Sequence, residues 1–248
     1  MKKVLASDFD GTLMFDGKFR DDDLIKIRDF QQKGHLFGLC SGRPLQGMEE
    51  LCDGQIAIDF YILCSGALIL DKNYQVIDKQ TVSQDLMYRF FQQYGNDYPI
   101  YIQANYKIYT FEKKDIPGMV MKHILTLDEV DGDIYGFSMY ANSEENASMI
   151  SSQIEMLFPK LSAHQNKEFI DVTKKGCSKG SGIEIIKKAF SISNIAGIGD
   201  SYNDIPMLET VDQAFTFHSS PAIVKKTADH VVDSVHEAID ILLENEDV

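Results

Sequence analysis

ASDFDGTL, residues Ala6 to Leu13, sets two carboxylates one residue apart directly after an apolar start. Lys2 to Ser7 reads as a buried strand, so Asp8 and Asp10 stand at its carboxyl end. Side chains two residues apart in an extended chain point the same way, and the two acids are therefore expected to converge on one point. Two like charges held together need a cation, and ligands of oxygen alone favour Mg²⁺ or Ca²⁺ over zinc. An EF-hand is excluded, because no third acid and no distant Glu follow at its loop spacing. In open α/β sheets ligands bind beyond the carboxyl ends of strands, which is where this pair falls.

Outward from that strand the pattern alternates. Asp21 to Gly34 has the acidic start, apolar Leu24, Ile27 and Phe30, and terminal glycine of a helix. A strand from His35 to Cys40 follows, then a helix from Pro44 to about Asp53 and a strand from Phe60 to Cys64. This order predicts an α/β fold, a doubly wound parallel sheet with helices on both faces. The alternation resumes with helix Lys179 to Phe190, strand Ile195 to Gly199, helix Asn203 to Glu209 and strand Ala214 to Phe217. Helix Pro221 to Thr227, strand His230 to Val232 and a final helix from Val235 complete it.

Between the two blocks the texture changes. Helix Ser83 to Tyr94 precedes strands Ile100 to Gln103 and Lys107 to Phe111, a further helix, and strand Ile134 to Tyr140. Helix Asn142 to Phe158 and strands Leu161 to Gln165 and Phe169 to Val172 follow. Paired strands imply hairpins and an antiparallel sheet, hence an inserted α+β domain over 81–175 within a core of 1–80 and 176–248.

Three more polar signals fall at equivalent places. LCSGR puts Ser41 after the second strand, CSKGSGIEIIKK puts Lys179 at a helix start, and GIGDSYND puts Asp200, Asn203 and Asp204 after a late strand. Taken singly, each reads as ordinary structure: a helix N-cap for Ser41, a solvated cation for Lys179, a capping acid for Asp204, a turn for Asp10-Gly11. At about 5% usage per position, DxDxT matches by chance in a chain of this length roughly 3% of the time and GDxxND roughly 0.2%. Together they supply a hydroxyl, a cation and carboxylates around one metal, which is what binding and transferring a phosphoryl group requires.

The chain has 248 residues, 44% of them hydrophobic, enough to bury a real core. Its net charge is −14, with no Lys/Arg run, which argues against nucleic acid or an anionic membrane as partner. Cys40, Cys52, Cys64 and Cys177 show no CxxC or CxxxxC spacing, which favours buried thiols in the cytoplasm over disulfides or zinc. The histidines form no HxxxH or HExxH pair. The start MKKVLAS has a basic opening, but its apolar stretch is too short for a signal peptide, and no apolar run is long enough to span a membrane.

DFDGTL, SGR, the Lys of SKG and GDSYNDIPML resemble the four motifs of the haloacid dehalogenase superfamily, and the insertion resembles the C2 cap of its Cof-type phosphatases. The resemblance covers essentially the whole chain. It implies that Asp8 is the nucleophile, Asp10 the general acid/base, and Ser41 and Lys179 the holders of phosphate, with Gly42 and Asn203 beside it. It implies Mg²⁺ bound by Asp8, the Asp10 backbone carbonyl and Asp200, with Asp204 in the metal's surroundings. The substrate it implies is a small phosphorylated molecule such as a sugar phosphate, handled by a monomer or small homo-oligomer. Two stretches depart from the pattern: Ser65-Gly66-Ala67 where relatives carry Asn-Gly-Ala, and FHSSP, Phe217 to Pro221, in place of an Asn-Ala loop. The cap aromatics Tyr101, Tyr106, Tyr109 and Phe111 read as strand packing rather than ligand platforms. The alternatives are a phosphotransferase or sugar-phosphate mutase, a signalling receiver, and a phosphate-binding regulatory module. A receiver would be about half this length, without a cap.

Overall fold

The computed structural model describes residues 2–244 apart from 47, 49–51, 53, 115 and 117–118. Strand β1 (Val4–Asp8) is buried along its whole length, because it lies inside a sheet covered on both faces. Its alternate side chains divide between two cores: Leu5 packs with Phe30 and Phe37, whereas Val4 and Ala6 pack with Ile62, Ile183 and Ile186. That two-sided burial is why the segment reads as a continuous apolar run rather than an alternation.

A hairpin, β2 (Met14–Phe15) and β3 (Lys18–Phe19), follows β1 and forms a small sheet of its own. The main sheet continues through β4 (Leu36–Cys40), β5 (Phe60–Leu63), β6 (Leu68–Asp71) and β7 (Val76–Lys79). The inserted sheet comprises β8 (Ile100–Ala104), β9 (Lys107–Thr110), β10 (Met121–His123), β11 (Ile134–Tyr140), β12 (Leu161–Asn166) and β13 (Phe169–Lys174). The chain then returns to the main sheet as β14 (Ala196–Ile198), β15 (Gln213–Phe217) and β16 (His230–Val232). The main sheet runs β16-β15-β14-β1-β4-β5-β6-β7, parallel from β16 to β5. The doubly wound α/β expectation holds.

The inserted sheet runs β10-β9-β8-β11-β13-β12 and is antiparallel except between β10 and β9. Helices Gln84–Tyr94 and Glu144–Leu157 lay Met87, Phe90, Ile150 and Ile154 on it, in a core separate from the two above. Each starts on a serine whose hydroxyl accepts a backbone N–H, Ser83 from Leu86 and Ser143 from Asn146.

Three local expectations need correction or lie elsewhere. The parallel sheet carries an antiparallel edge, β6 and β7, that the sequence reading missed. The Asp71 carboxylate accepts the N–H groups of Asn73 and Gln75 there and closes a turn without an Asn-Gly signature. After β9, where a helix was expected, the described residues instead form β10 and a 3₁₀ turn, Leu127–Glu129, capped reciprocally by Thr126 and Glu129. The helix expected from Pro44 to about Asp53 falls in large part outside the described residues, although Met48 and Cys52 are buried in the core.

All four cysteines are free and buried. Burial pushes the Cys177 thiol up to about 11 and Cys52 to about 12. A thiol-disulfide reagent at pH 8 is therefore expected to count no fast-reacting thiol in the native protein and four in denaturant. A prompt reaction of even one equivalent in the native state would contradict the packing.

Candidate active site

β1, β4 and β14 are parallel neighbours, so their carboxyl ends open on one edge of the sheet. Asp8 is the last residue of β1 and pairs in register with Cys40, the last residue of β4, which Ser41 follows. Gly199 and Asp200 continue from β14 beside them. Lys179 arrives from a fourth direction, as the first residue of helix Lys179–Phe190, whose start Ser178 and Ser181 cap reciprocally. Gly180 and Gly182 let that helix press inward, since a Cβ on Gly180 would lie 2.1 Å from the Pro206 carbonyl oxygen and one on Gly182 2.5 Å from Ile62. Lys179 is thereby only 1% exposed, an expensive place for an ammonium unless anions surround it.

They do. Lys179 Nζ donates to Asp8 Oδ1 at 2.5 Å and to Asp204 Oδ1 at 2.6 Å. The other Asp204 oxygen accepts the backbone N–H groups of Asp200 and Ser201, each at 2.9 Å, which ties the GDSYND loop into shape. Asp200 Oδ1 accepts from Thr12 Oγ1 at 3.1 Å, and its Oδ2 faces Lys167 Nζ at 3.2 Å. Gly11, at φ +88°, passes close to this carboxylate: a Cβ there would sit 2.9 Å from both Asp200 oxygens.

The charges are unbalanced. Burial holds the Asp8 carboxyl well above the usual range, with Asp204 and Asp200 pushing the same way and Lys179 opposing. Asp200 is raised by burial and by Asp204, against Lys167. Burial alone would lower Lys179, but Asp204 and Asp8 outweigh it, and the ammonium is raised. One oxygen from each of Asp8, Asp200 and Asp204 lies within 4.8 Å of the others, a set that could hold a metal ion. Hard oxygen donors and an excess of negative charge suit a divalent cation of the Mg²⁺ or Ca²⁺ type.

Asp10 departs from the expected convergence. β1 ends at Asp8, so strand periodicity does not carry to Asp10, and its carboxylate leaves the acidic cluster for Arg43, with Nε–Oδ2 and Nη2–Oδ1 both at 2.6 Å. It still lines the same cavity as Asp8. Ser41 is buried and its Oγ accepts the Arg43 N–H at 3.1 Å. The Gly42 carbonyl accepts from Gln103 Nε2 at 2.7 Å, and Asn203 Nδ2 donates to Asp171 at 3.3 Å.

The cavity these residues share with the inserted sheet has a volume of about 240 Å³. Arg43, Gln103, Lys167 and Asp171 line it and Thr12 reaches the site through Asp200, and none of the five was singled out from the sequence. Thr12 and Arg43 were within reach, being the last polar residue of DFDGT and the Arg of SGR. The other three stand on β8, on the turn after β12 and on β13, and only the folding of one sheet over the other brings them in. Of the four cap aromatics read as packing, Tyr101 lines the cavity. Tyr109, by contrast, is buried against Asp131, Phe111 packs on Phe91 and Tyr106 on Tyr135. Ser65 meets the site through Asp171, whereas no residue from Phe217 to Pro221 lines it.

Comparison with known proteins follows the same lines. A *Bacillus subtilis* protein named 5-amino-6-(5-phospho-D-ribitylamino)uracil phosphatase YcsE is 24% identical over 94% of this chain and 90% of its own length. SMU.1108c from *Streptococcus mutans* superposes with a TM-score of 0.84 at 21% identity, over 98% of this chain and 100% of that one. A structure described as the HAD subclass IIB sugar phosphatase BT4131 superposes at 0.81 and 23% identity, over 98% of this chain and 99% of that one. At such identities the superpositions speak for the fold, cap included. The model of the haloacid dehalogenase-like hydrolases matches residues 5–239, nearly the whole of both sheets and every motif at the site, and the chain belongs to that family.

Proposed function

We infer that the protein is a Mg²⁺-dependent phosphatase that hydrolyses a small phosphorylated metabolite, a sugar phosphate or similar phosphomonoester, through an aspartyl-phosphate. The observation that carries this reading is the buried cluster of Asp8, Asp200 and Asp204 around Lys179, at the sheet edge where Ser41 also emerges. The names of the *B. subtilis* and subclass IIB relatives support a phosphorylated small-molecule substrate. We assign the cap to 81–175 and a cytoplasmic location to the enzyme; no helix among the described residues is long and apolar enough to cross a membrane.

In this mechanism Asp8 attacks phosphorus and the bond from phosphorus to the alcohol oxygen breaks, with Asp10 delivering a proton to the departing oxygen. Water then attacks the phosphorus of the acyl phosphate, Asp10 takes its proton, and free phosphate leaves Asp8 regenerated. Ser41, the Gly42 turn, Asn203 and the Lys179 ammonium hold the phosphoryl oxygens. Asp8, Asp200 and the Asp10 carbonyl would hold the metal, with Asp204 positioning Asp200 and Lys179. When bound, the metal supplies positive charge that lets an anionic nucleophile approach an anionic ester. Asp10 can move protons only after Arg43 releases it, and an arriving phosphate gives that guanidinium an alternative partner.

The test is phosphate release from p-nitrophenyl phosphate, with no added acceptor alcohol. Activity is expected with Mg²⁺ and none with EDTA; full activity in metal-free buffer would overturn the metal's role, and transfer only in the presence of an acceptor would favour a phosphotransferase. Asp10→Asn is expected to lose about 10²–10⁴-fold in turnover. Nitrophenolate needs little protonation to leave, so that variant should release a burst near one equivalent and then turn over slowly. Intact mass should show one phosphoryl group, mapped to Asp8. Parent-like rates in Asp10→Asn would refute its role.

A further inference from the structure

Asp171 is a buried carboxylate of the inserted sheet, on β13, and only 4% exposed. Its Oδ2 accepts from Ser65 Oγ at 3.0 Å and Asn203 Nδ2 at 3.3 Å, and its Oδ1 accepts from Ser138 Oγ at 3.2 Å. All three donors are neutral, two from the main sheet's loops and one from β11. The carboxylate also presses on the turn after β4: a Cβ on Gly42 would fall 2.6 Å from Asp171 Oδ2. Asp171 therefore lines the cavity immediately beside Ser41 and Gly42, the residues assigned to the phosphoryl group.

A carboxylate in that place cannot serve the phosphate, because two anions at short range oppose each other. What it can engage is a hydrogen-bond donor on the part of the substrate next to the phosphate. A carboxylate has about four acceptor positions, and three donors occupy it. The donor assigned to the remaining position is a neutral hydroxyl, because the three groups that already donate to Asp171 are neutral hydroxyls and an amide. Beyond Asp171 the wall turns apolar at Tyr101, Ile108 and Phe169, and Glu168, the other carboxylate that the described part of the inserted sheet brings to the cavity, is less deeply buried.

We propose that Asp171 is a specificity-determining residue that accepts a hydrogen bond from a hydroxyl of the leaving alcohol, which makes phosphomonoesters of polyols and sugars the favoured substrates over alkyl esters of equal length. This rests on the phosphatase reading of the site. A polar group built to meet a hydroxyl and left facing a methylene is a strong discriminator, because it loses its partner inside a desolvated cavity.

The experiment compares kcat/KM for glycerol 1-phosphate, n-propyl phosphate and 3-aminopropyl phosphate in the parent and in Asp171→Asn, each with its melting temperature. The parent is expected to favour glycerol 1-phosphate over propyl phosphate by about 10²-fold or more. Asp171→Asn should lose far more on the hydroxylated ester than on the alkyl one, so that the ratio falls below about tenfold. A residue that merely fastens cap to core would lower both esters by one factor and leave the ratio unchanged; that result, a parent ratio near one, or a preference for the amine would overturn the assignment. Calorimetry with 3,4-dihydroxybutylphosphonate against butylphosphonate reads the same contact without turnover. If no ester, p-nitrophenyl phosphate included, releases phosphate, the phosphatase reading fails. The phosphonate pair still decides the present inference, which equal affinities would refute.

Discussion

Asp8→Asn is expected to abolish phosphate release, by on the order of 10⁵–10⁶-fold as for loss of other covalent nucleophiles, while leaving the protein folded. The reasoning starts from Lys179, which binds both Asp8 and Asp204. With the Asp8 charge removed, Asp204 still pairs the ammonium, and the repulsion that Asp8 suffers from Asp204 and Asp200 disappears. Stability should thus stay within a few degrees of the parent, and the loss belongs to the chemistry. An amide is a poor nucleophile, so incubation with p-nitrophenyl phosphate should add no phosphoryl group to the intact mass. Retained turnover, or a phosphoryl group mapped to Ser41 in this variant, would show that Asp8 is not the attacking group.

Lys179→Met is expected to remove activity and, unlike Asp8→Asn, to weaken the fold. It leaves Asp8 and Asp204 buried without their common cation, and breaking a buried pair from one side costs about 3–5 kcal/mol. For a chain of this size that lowers the melting temperature by roughly 6–20 °C. The deficit should depend on pH with a definite sign. Asp8 and Asp200 already have folded-state values raised above the unfolded ones, and removal of the ammonium raises Asp8 further. A raised carboxylate weakens the fold as pH climbs through its folded value, so the gap between variant and parent should be smallest near pH 4 and widen toward neutrality. Mg²⁺ should recover part of it by supplying charge to the same oxygens. A melting deficit indifferent to both pH and Mg²⁺ would mean that Lys179 acts by packing alone.

How far the chain could be read without its structure varies with the range of the interactions. Helix Lys179–Phe190 was legible to the residue, since Ser178 caps it locally and its apolar positions recur at helical spacing. β1 was legible because a strand buried on both faces needs no partner to declare itself. The β6–β7 edge was not, as its turn is closed by one aspartate accepting two N–H groups rather than by a glycine signature. The helix expected after β9 failed because β10 gains its hydrogen bonds from β9, a pairing that periodicity does not encode.

What the sequence by itself determined is the alternation of strands and helices in the two outer blocks, the change to paired strands between them, and the four motifs that gather at one sheet edge. Each of these rests on short-range periodicity, on capping, or on the rule that ligands gather at the carboxyl ends of parallel strands. Only the tertiary structure decided how the charges divide. Asp8 pairs with Lys179 while Asp10, two residues on, turns to Arg43, since the strand ends between them. Only the tertiary structure, too, brought Gln103, Lys167 and Asp171 over the site, since their partners Gly42, Asp200 and Ser65 lie up to a hundred or so residues away in the chain. A side chain that meets its partner across two sheets leaves no spacing to read, because nothing local fixes the distance between them.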